Sequence, residues 1–344
     1  MHKLKHLELE ISNPCNERCV HCYRTCDETR LGFLSLAAVK KIVGDIKPVL
    51  AEKPNTTVTG GEATLNPEWR EIVQYLIGEG FRISLFTNGT RLTESDADFL
   101  SQFTAEQLKE VQISLYAMDE KVHDSVTRLQ DSYEKTMRGI SLLREKGVPL
   151  FISCPAMQAN KNDFYRVMSW ADSQNIHSCA DLYIFSNSDY SFSNEGQKLN
   201  AADLENFYKI TCENNAALSY VWKSYHKKNI NETLFYGGAI NSILISGGGT
   251  IYPMIGWYEK LGNIATDDVA DIFLHHPLLQ KVRTIKASDI PECKVCSCVD
   301  YCSFCPMAHL NANHGELYKL DKSYCEYLQK VKYYNELSKG CMRT

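Results

Sequence analysis

The sequence lacks three features that would place the protein in a membrane, on nucleic acid or outside the cell. No apolar run approaches the roughly 18 residues needed to cross a bilayer, and the N-terminus enters an alternating pattern with no apolar signal segment. Its 37 basic side chains do not exceed its 42 acidic ones, which leaves a net charge of −5 and no basic footprint for nucleic acid. We therefore predict a cytoplasmic globular protein with no nucleic-acid or membrane partner.

Cysteine is the residue type that the chain has in excess. Its 344 residues are 44% apolar, enough for a substantial core, and the length favours one large domain plus a smaller module. The 14 cysteines would stay reduced in a chain without a secretion signal, so clustered ones are predicted to bind metal rather than form disulfides. Four lie in residues 15–26 and five in residues 293–305.

The first half of the sequence alternates strand and helix patterns. Strands are predicted at HLELEI, TTVTGGE, FRISLFTNGT, VQISLYA, VPLFISCP and DLYIFS. Helices are predicted from Ser35 through about Leu50, from Asn66-Pro67 to about Gly78, after Thr93, over 131–146 and over 162–175. Six such units predict an α/β fold, a partial (β/α)6 parallel barrel with its chemistry at the C-terminal mouth.

A cysteine loop follows the first strand, with Cys15, Cys19 and Cys22 spaced as C-x3-C-x2-C. A zinc site or a fully ligated [4Fe–4S] electron carrier normally closes with a fourth protein ligand. Three thiolates therefore indicate a metal centre with one open position. A zinc site completed by Cys26 or His21 is the alternative.

This loop, with an aromatic residue before its last cysteine and Gly60-Gly61-Glu62 closing the second strand, resembles the radical S-adenosylmethionine (SAM) superfamily over residues 5 to about 185. The resemblance implies that Cys15, Cys19 and Cys22 hold a [4Fe–4S] cluster whose fourth iron is open for SAM. An electron from a reductant such as flavodoxin or ferredoxin would cleave SAM to a 5′-deoxyadenosyl radical that takes hydrogen from the substrate. In such enzymes the cofactor supplies the chemistry and the protein positions it.

The resemblance also implies a set of cofactor-binding residues. These are His21, Tyr23, Gly60, Gly61, Glu62, Asn88, Ser114 and Arg128. The glycine segment would hold the SAM amino group, Ser114 would lie near the ribose, and Arg128 would meet the carboxylate. Each has a plainer interpretation: a glycine turn, an Asn-Gly turn at Asn88, a barrel serine and a surface ion pair.

The second half is organised differently. Residues 186–235 are polar and predict a bridge between a core at 1–185 and a small α+β module at 236–344. SILISGGGTIYP predicts a hairpin, a helix is predicted near residues 267–285, and a cysteine-rich segment follows. This order resembles the SPASM or twitch extension of radical SAM enzymes, which carries auxiliary iron–sulfur clusters.

The extension departs from that pattern at two places. The pattern has a cysteine five residues after the hairpin glycine, but here the residue five positions after Gly249 is Met254. It has another cysteine shortly before the hairpin, but residues 236–240 contain none. A thioether is a poor cluster ligand, so we predict one auxiliary [4Fe–4S] cluster instead of two. Its predicted ligands are Cys293, Cys296, Cys302 and Cys325, with Cys305 and Cys298 as alternates. A structural zinc knuckle is the alternative.

The resemblance implies a radical SAM enzyme, an oxidoreductase or a related enzyme. Its substrate would be a ribosomally made peptide or protein, modified by cross-linking, epimerisation, excision or oxidation. A small-molecule substrate such as a tetrapyrrole or an aminoglycoside is the alternative, and a non-enzymatic iron–sulfur or zinc protein a distant one. The chain begins almost at its first strand, so leader recognition would need the extension or a separate leader-binding protein. A free thiol returning hydrogen to the substrate is another hypothesis, with Cys154, Cys179, Cys212 and Cys341 as candidates.

Overall fold

One mixed sheet is the framework of the molecule. The computed structural model describes residues 2–213, 239–299, 301–302 and 304–341, and within them the strand order is β6-β5-β4-β3-β2-β1-β7-β8-β9. The strands are β1 Leu4–Ser12, β2 Leu50–Gly60, β3 Arg82–Thr87, β4 Leu108–Ser114, β5 Leu150–Ser153, β6 His177–Cys179, β7 Ser242–Ile245, β8 Thr250–Tyr252 and β9 Gly262–Asn263. All pairs from β6 to β7 are parallel, and the β7–β8 and β8–β9 pairs are antiparallel.

Helices follow most strands, as parallel crossovers require. They are α1 Leu36–Ile46, α2 Trp69–Gly78, α3 Glu94–Ser101, α4 Glu120–Thr127, α5 Ser132–Glu145, α6 Phe164–Ser173, α7 Ala201–Glu213, α8 Val269–His275, α9 Pro277–Val282, α10 Pro291–Lys294, α11 Pro306–Ala312 and α12 Lys322–Cys341. Both predicted N-caps are present: the Ser35 hydroxyl accepts from the Ala38 N–H at 3.1 Å, and Thr93 forms a capping box with Asp96. The predicted alternation of strand and helix is confirmed.

Three boundaries were predicted wrongly. The sixth strand is β6, not residues 181–186, because Tyr183 and Ile184 both line a cavity, which breaks the period of two. The helix predicted near 267–285 is two helices, because Pro277 begins a new one after an extended His276. Helix α1 ends at Ile46, before a 3-10 turn that contains Pro48. Helix α4 was not predicted.

Strand β7 joins the predicted extension to the predicted core. It pairs in parallel with β1 over four residues, His6 to Leu9, and the predicted hairpin continues the sheet through β8. Buried apolar residues from both halves of the chain belong to one core cluster. The predicted boundaries at 185 and 236 therefore separate stretches of sequence that share one sheet, and residues 214–238 of the predicted bridge lie outside the described residues.

Candidate functional site

A cavity of about 370 Å³ lies where the parallel strands end. Its wall combines the cysteine loop after β1 with the last residues of β2, β3, β4 and β5, and the segment after β6 and two residues of the extension close it. The lining includes Cys15, Glu17, Cys19, His21, Cys22, Tyr23, Arg24, Cys26, Gly60, Gly61, Asn88, Gln112, Ser114, Ser153, Pro155, Asp181, Tyr183, Phe185, Ile255 and Met307. This is the edge of a parallel sheet at which ligands bind.

Backbone hydrogen bonds on two sides fix the path of the cysteine loop. The N–H groups of Arg18 and Val20 donate to carbonyls at the end of α4, each at 2.9 Å, and the Ser188 N–H donates to the Tyr23 carbonyl at 2.8 Å. The loop is therefore held by α4, which the sequence did not predict, and by the segment after β6. Its cysteines are positioned without a helix or strand of their own.

Gly60 and Gly61 allow the end of β2 to approach the cysteine loop closely. Gly60 has a φ of +154°, and a Cβ atom at Gly61 would lie 2.4 Å from the Pro14 carbonyl oxygen. The Gly61 N–H donates to the Ser12 carbonyl at 2.8 Å. Only glycine fits such backbone contacts, so the two residues have a structural reason for their identity and also line the cavity.

Glu62 is oriented away from the cavity. Its Oε1 accepts from the Thr64 N–H at 3.0 Å and from the hydroxyls of Thr64 and Thr87, each at 2.7 Å, and its Oε2 accepts from the Asn88 N–H at 2.7 Å. The carboxylate is 1% exposed and ties the end of β2 to the end of β3. The described geometry gives Glu62 a positioning role for the glycine turn, beside its predicted cofactor role.

Four other predicted cofactor residues meet in the cavity wall: His21, Tyr23, Asn88 and Ser114. Asn88 donates from Nδ2 to Asn16 Oδ1 at 2.9 Å, which ties β3 to the cysteine loop. Burial lowers the pKa of His21 to about 4, so the ring is neutral, and its Nδ1 is buried with no hydrogen-bond partner among the described residues. Arg128 is an exposed left-handed C-cap of α4 and is not part of the wall.

No three cysteine sulfurs among the described residues lie within 4.8 Å of one another. The corners of a tetrahedral zinc–thiolate site lie about 3.8 Å apart, given a Zn–S bond of about 2.3 Å. Among the described residues, the one trio of candidate ligand atoms that lie within 4.8 Å of one another is Glu120, Asp124 and Asp131. A larger iron–sulfur cluster suits separated thiols, so the loop fits the predicted cluster better than a single zinc ion.

The thiols of the loop differ in their proton affinity. Burial raises the pKa values of Cys15 and Cys19, so these thiols stay protonated until a metal displaces the proton. A hydrogen bond from the Cys26 thiol lowers the pKa of Cys22. Cys26 therefore lies beside the predicted triad and lines the same cavity.

A second cavity, of about 340 Å³, lies inside the extension. Five cysteines line it: Cys293, Cys296, Cys298, Cys302 and Cys325. They include all four predicted auxiliary ligands and one of the two alternates. The Cys298 N–H donates to Cys296 Sγ at 3.4 Å, the kind of contact that stabilises a thiolate.

Cys305, the other alternate, is not part of this cavity wall. It packs with the aromatic cluster of Tyr183, Tyr324 and Tyr327, and burial raises its pKa to about 12. Cys305 therefore packs on the aromatic cluster, which Cys302 also contacts, and lies outside the wall of the second cavity.

Apolar packing occupies the region where the sequence departs from the two-cluster pattern. Met254 packs against the main core and pairs with Trp257, which is 1% exposed. Met254 directly precedes Ile255, which lines the first cavity. Of the candidate free thiols, Cys154 is fully buried and Cys179 is half-buried, while the side chains of Cys212 and Cys341 lie outside the described residues.

Comparison with protein families agrees with this geometry. Residues 9–171 match the model of the radical SAM superfamily, a range that begins in β1 and ends in α6. The chain carries a radical SAM domain. The predictions of a radical SAM enzyme, a partial barrel and the cofactors of the superfamily, SAM and a [4Fe–4S] cluster, are confirmed at this level.

Named relatives of the chain differ in the functions that their names give. The antilisterial bacteriocin subtilosin biosynthesis protein AlbA of Bacillus subtilis is 27% identical over 157 residues, 45% of this chain and 34% of AlbA. The chain thus matches about a third of that protein's length. AdoMet-dependent heme synthase of Methanosarcina barkeri is 23% identical over 92% of this chain and 95% of that protein.

A solved structure extends the similarity of fold over almost the whole chain. Native anSMEcpe with bound AdoMet and Cp18Cys peptide superposes with a TM-score of 0.68 at 20% identity, covering 96% of each chain. The similarity of fold to that neighbour therefore covers the extension as well as the barrel. Among the described residues, no helix is both long and apolar enough to cross a membrane.

Several residues of the first cavity were not predicted. Gln112 lies on the same face of β4 as the predicted Ser114, and Ser153 and Pro155 follow the same edge on β5. Polar residues at the ends of predicted parallel strands were the available signal for these. No comparable signal pointed to Met307, which reaches the cavity from α11 across a long separation in sequence.

Proposed function

We propose that the protein is a radical SAM enzyme that oxidises a peptide substrate, with one SAM-binding cluster in the barrel mouth and one auxiliary cluster in the extension. The observation that carries the proposal is the presence of two separate cysteine-lined cavities. The first has polar and glycine walls with space beside its sulfurs. The second has more than enough thiols to enclose a cluster completely.

Cys15, Cys19 and Cys22 would hold the first cluster, and the backbone at Gly60 and Gly61 would face SAM. When bound, the cluster and SAM supply a 5′-deoxyadenosyl radical that removes a hydrogen atom from the substrate. The protein contributes the fixed loop, the neutral His21 ring and a cavity that holds the cofactor beside the substrate. The electron donor is proposed to be a flavodoxin or a ferredoxin.

The charge of the cavity wall favours a peptide over a tetrapyrrole. Arg24 is the one basic side chain in the described lining, and its Nη2 lies 3.2 Å from Glu10 Oε2 in a buried ion pair. Glu17 and Asp181 add acidic groups to the wall. A tetrapyrrole with several carboxylates would need unpaired basic partners, and the described wall does not offer them.

The named relatives support both a peptide substrate and a small-molecule substrate. AlbA is named for the biosynthesis of a bacteriocin, and the neighbour anSMEcpe is described with a bound peptide. The heme synthase alignment covers more of the chain and supports a small-molecule substrate as the second candidate. A separate leader-binding protein is a further proposed partner of the peptide function.

The test begins with protein reconstituted anaerobically, for which two clusters predict about eight irons per chain. It is then incubated with SAM, a reductant and synthetic peptides encoded by short reading frames beside the gene. A loss of two hydrogens, or deuterium uptake in deuterated solvent, supports the peptide function. Turnover of a carboxylated tetrapyrrole with no change in any peptide would support the second candidate and contradict the first.

A further inference from the structure

Most carboxylates around the first cavity are already engaged by the protein. Glu62 accepts four hydrogen bonds, Glu10 pairs with Arg24 and accepts from the Tyr258 hydroxyl, and Glu17 accepts from the Cys19 thiol at 3.3 Å. Glu62 and Glu10 are held by these partners and are poorly placed to accept a proton from a substrate. Glu17 keeps one oxygen, Oε1, without a partner among the described residues, but it lies between the predicted cluster ligands Cys15 and Cys19.

Asp181 differs from all of them. It follows β6, and its carbonyl accepts from the Ala156 N–H at 2.8 Å, which places it beside Pro155 at the end of β5. Both residues line the cavity. Among the described residues, the Asp181 carboxylate has no hydrogen-bond or ion-pair partner. The Asp181 side chain is exposed, whereas the next residue, Leu182, is buried in the core.

The surroundings of Asp181 suit a proton acceptor. Asp181 is exposed, and partial desolvation by the neighbouring wall raises the pKa of its carboxylate above that of an ordinary aspartate. A raised pKa makes the ionised carboxylate a stronger base.

Asp181 also lies on the wall that leads to the second cavity. Tyr183, two residues later, lines the first cavity, and its ring centroid lies 4.9 Å from that of Tyr324. Tyr324 precedes Cys325, which lines the second cavity. A proton and an electron leaving the substrate therefore have exits on the same side of the first cavity.

We propose that Asp181 is the general base that accepts the proton released when the substrate radical is oxidised. The inference rests on the proposed function and names a residue for it. Cys293, Cys296, Cys302 and Cys325 would hold the auxiliary iron–sulfur cluster that would supply the one-electron oxidant for the carbon radical. As that electron leaves, a neighbouring heteroatom loses its proton to the Asp181 carboxylate, a double bond forms between carbon and heteroatom, and Asp181 becomes a neutral acid.

The first experiment compares hydrogen abstraction with product formation in Asp181→Asn. The probe is the synthetic peptide encoded beside the gene, made with deuterated residues, and the control is Asp172→Asn, an exposed residue on α6 outside the cavity wall. We expect deuterium to reach 5′-deoxyadenosine in both variants. The yield of peptide lighter by two hydrogens should fall roughly 100-fold or more in Asp181→Asn alone, and Asp181→Glu should recover part of it.

Two outcomes would overturn the proposal. An unchanged product yield in Asp181→Asn would show that another group takes the proton. Equal loss of deuterium transfer and product would show that Asp181 positions the substrate instead. No deuterium transfer in the wild-type protein would count against the proposed peptide function and leave the second experiment to decide on Asp181.

The second experiment needs no substrate. The holoprotein is treated with a water-soluble carbodiimide and glycine ethyl ester, and the modified carboxyls are located by peptide mass. We expect Asp181 to be modified and Glu62, with its four hydrogen bonds, to remain unmodified. If Asp181 stays unmodified while Asp172 reacts, its carboxylate is not open to the cavity and the proposal fails.

Discussion

The two cysteine-lined cavities differ in what surrounds their sulfurs. The first is bordered by glycine backbone and by polar residues such as Asn88, Gln112 and Ser114. The second is bordered mainly by apolar side chains, among them Val295, Val299, Phe304, Leu320 and Leu328. Apolar walls suit a cluster that is fully ligated and shielded from water, whereas polar walls suit a centre that must also bind a charged cofactor. The comparison predicts an open reactive site and a closed auxiliary site.

The largest effect is expected from Cys22→Ala in the open site. It removes one of three predicted protein ligands, so the cluster should be lost or lose its SAM-binding iron, and reductive SAM cleavage should stop. The measurement is iron content together with 5′-deoxyadenosine formation under anaerobic, reducing conditions.

Cys26→Ala is the matched control for Cys22→Ala. Cys26 lines the same cavity and bonds to Cys22, but it lies outside the predicted triad. We expect the cluster and SAM cleavage to survive. Loss of the cluster in Cys26→Ala and its retention in Cys22→Ala would show that the triad is wrong.

Cys325→Ala removes a predicted ligand of the closed site and should separate SAM cleavage from product formation. Iron should fall from about eight to about four per chain, uncoupled SAM cleavage should persist, and product formation should fall sharply. Equal loss of both activities, with normal circular dichroism, would contradict the separation of roles.

A comparison of the predicted ligand Cys302 with the alternate Cys305 sharpens the ligand set of the closed site. Cys302 lines the second cavity and Cys305 packs among aromatic rings. We expect Cys302→Ala to lose auxiliary iron and Cys305→Ala to keep it, measured as iron and sulfide per chain. The reverse result would assign Cys305 to the closed site in place of Cys302.

A smaller effect, on the free energy of unfolding alone, is expected from the buried carboxyl group of Glu8. Burial raises the pKa of Glu8 to about 8, and its carboxylate accepts from the Ile255 N–H. The folded protein then holds a proton that the unfolded chain releases above about pH 4.5. Stability should therefore fall as pH rises from about 4.5 to about 8, by at most about 1.4 kcal/mol per pH unit from this group.

Glu8→Gln tests that pH dependence. The amide cannot ionise, so the decline in unfolding free energy between pH 5.5 and pH 7.5 should become shallower. Denaturant titrations of the apo protein at the two pH values give the measurement. An unchanged slope would show that Glu8 ionises normally in the folded chain.

The sequence predicted the features that depend on neighbouring residues in the chain. The spacing of Cys15, Cys19 and Cys22 places them on one loop, the glycines at 60–61 mark a close backbone approach, and Ser35 caps its helix. These features follow from spacing and local conformation, so one sequence is sufficient to find them.

The features that it missed depend on distant contacts. Asp181 lies in the cavity wall because residues 181–186 leave the sheet after β6, which strand periodicity did not reveal. Met307 reaches the cavity from α11 and contacts Gly256, where a Cβ atom would lie 1.8 Å from its sulfur. Cys305 turns away from the second cavity for reasons of packing that spacing alone does not encode.

The central claim is that one cluster is open to SAM and the other is closed, and electron paramagnetic resonance of the reduced protein tests it most directly. The account predicts two [4Fe–4S] signals, of which only one changes when SAM is added, and that signal should survive in Cys325→Ala and vanish in Cys22→Ala. A SAM-dependent change that disappears in Cys325→Ala, or stoichiometric zinc with a single cluster, would contradict it.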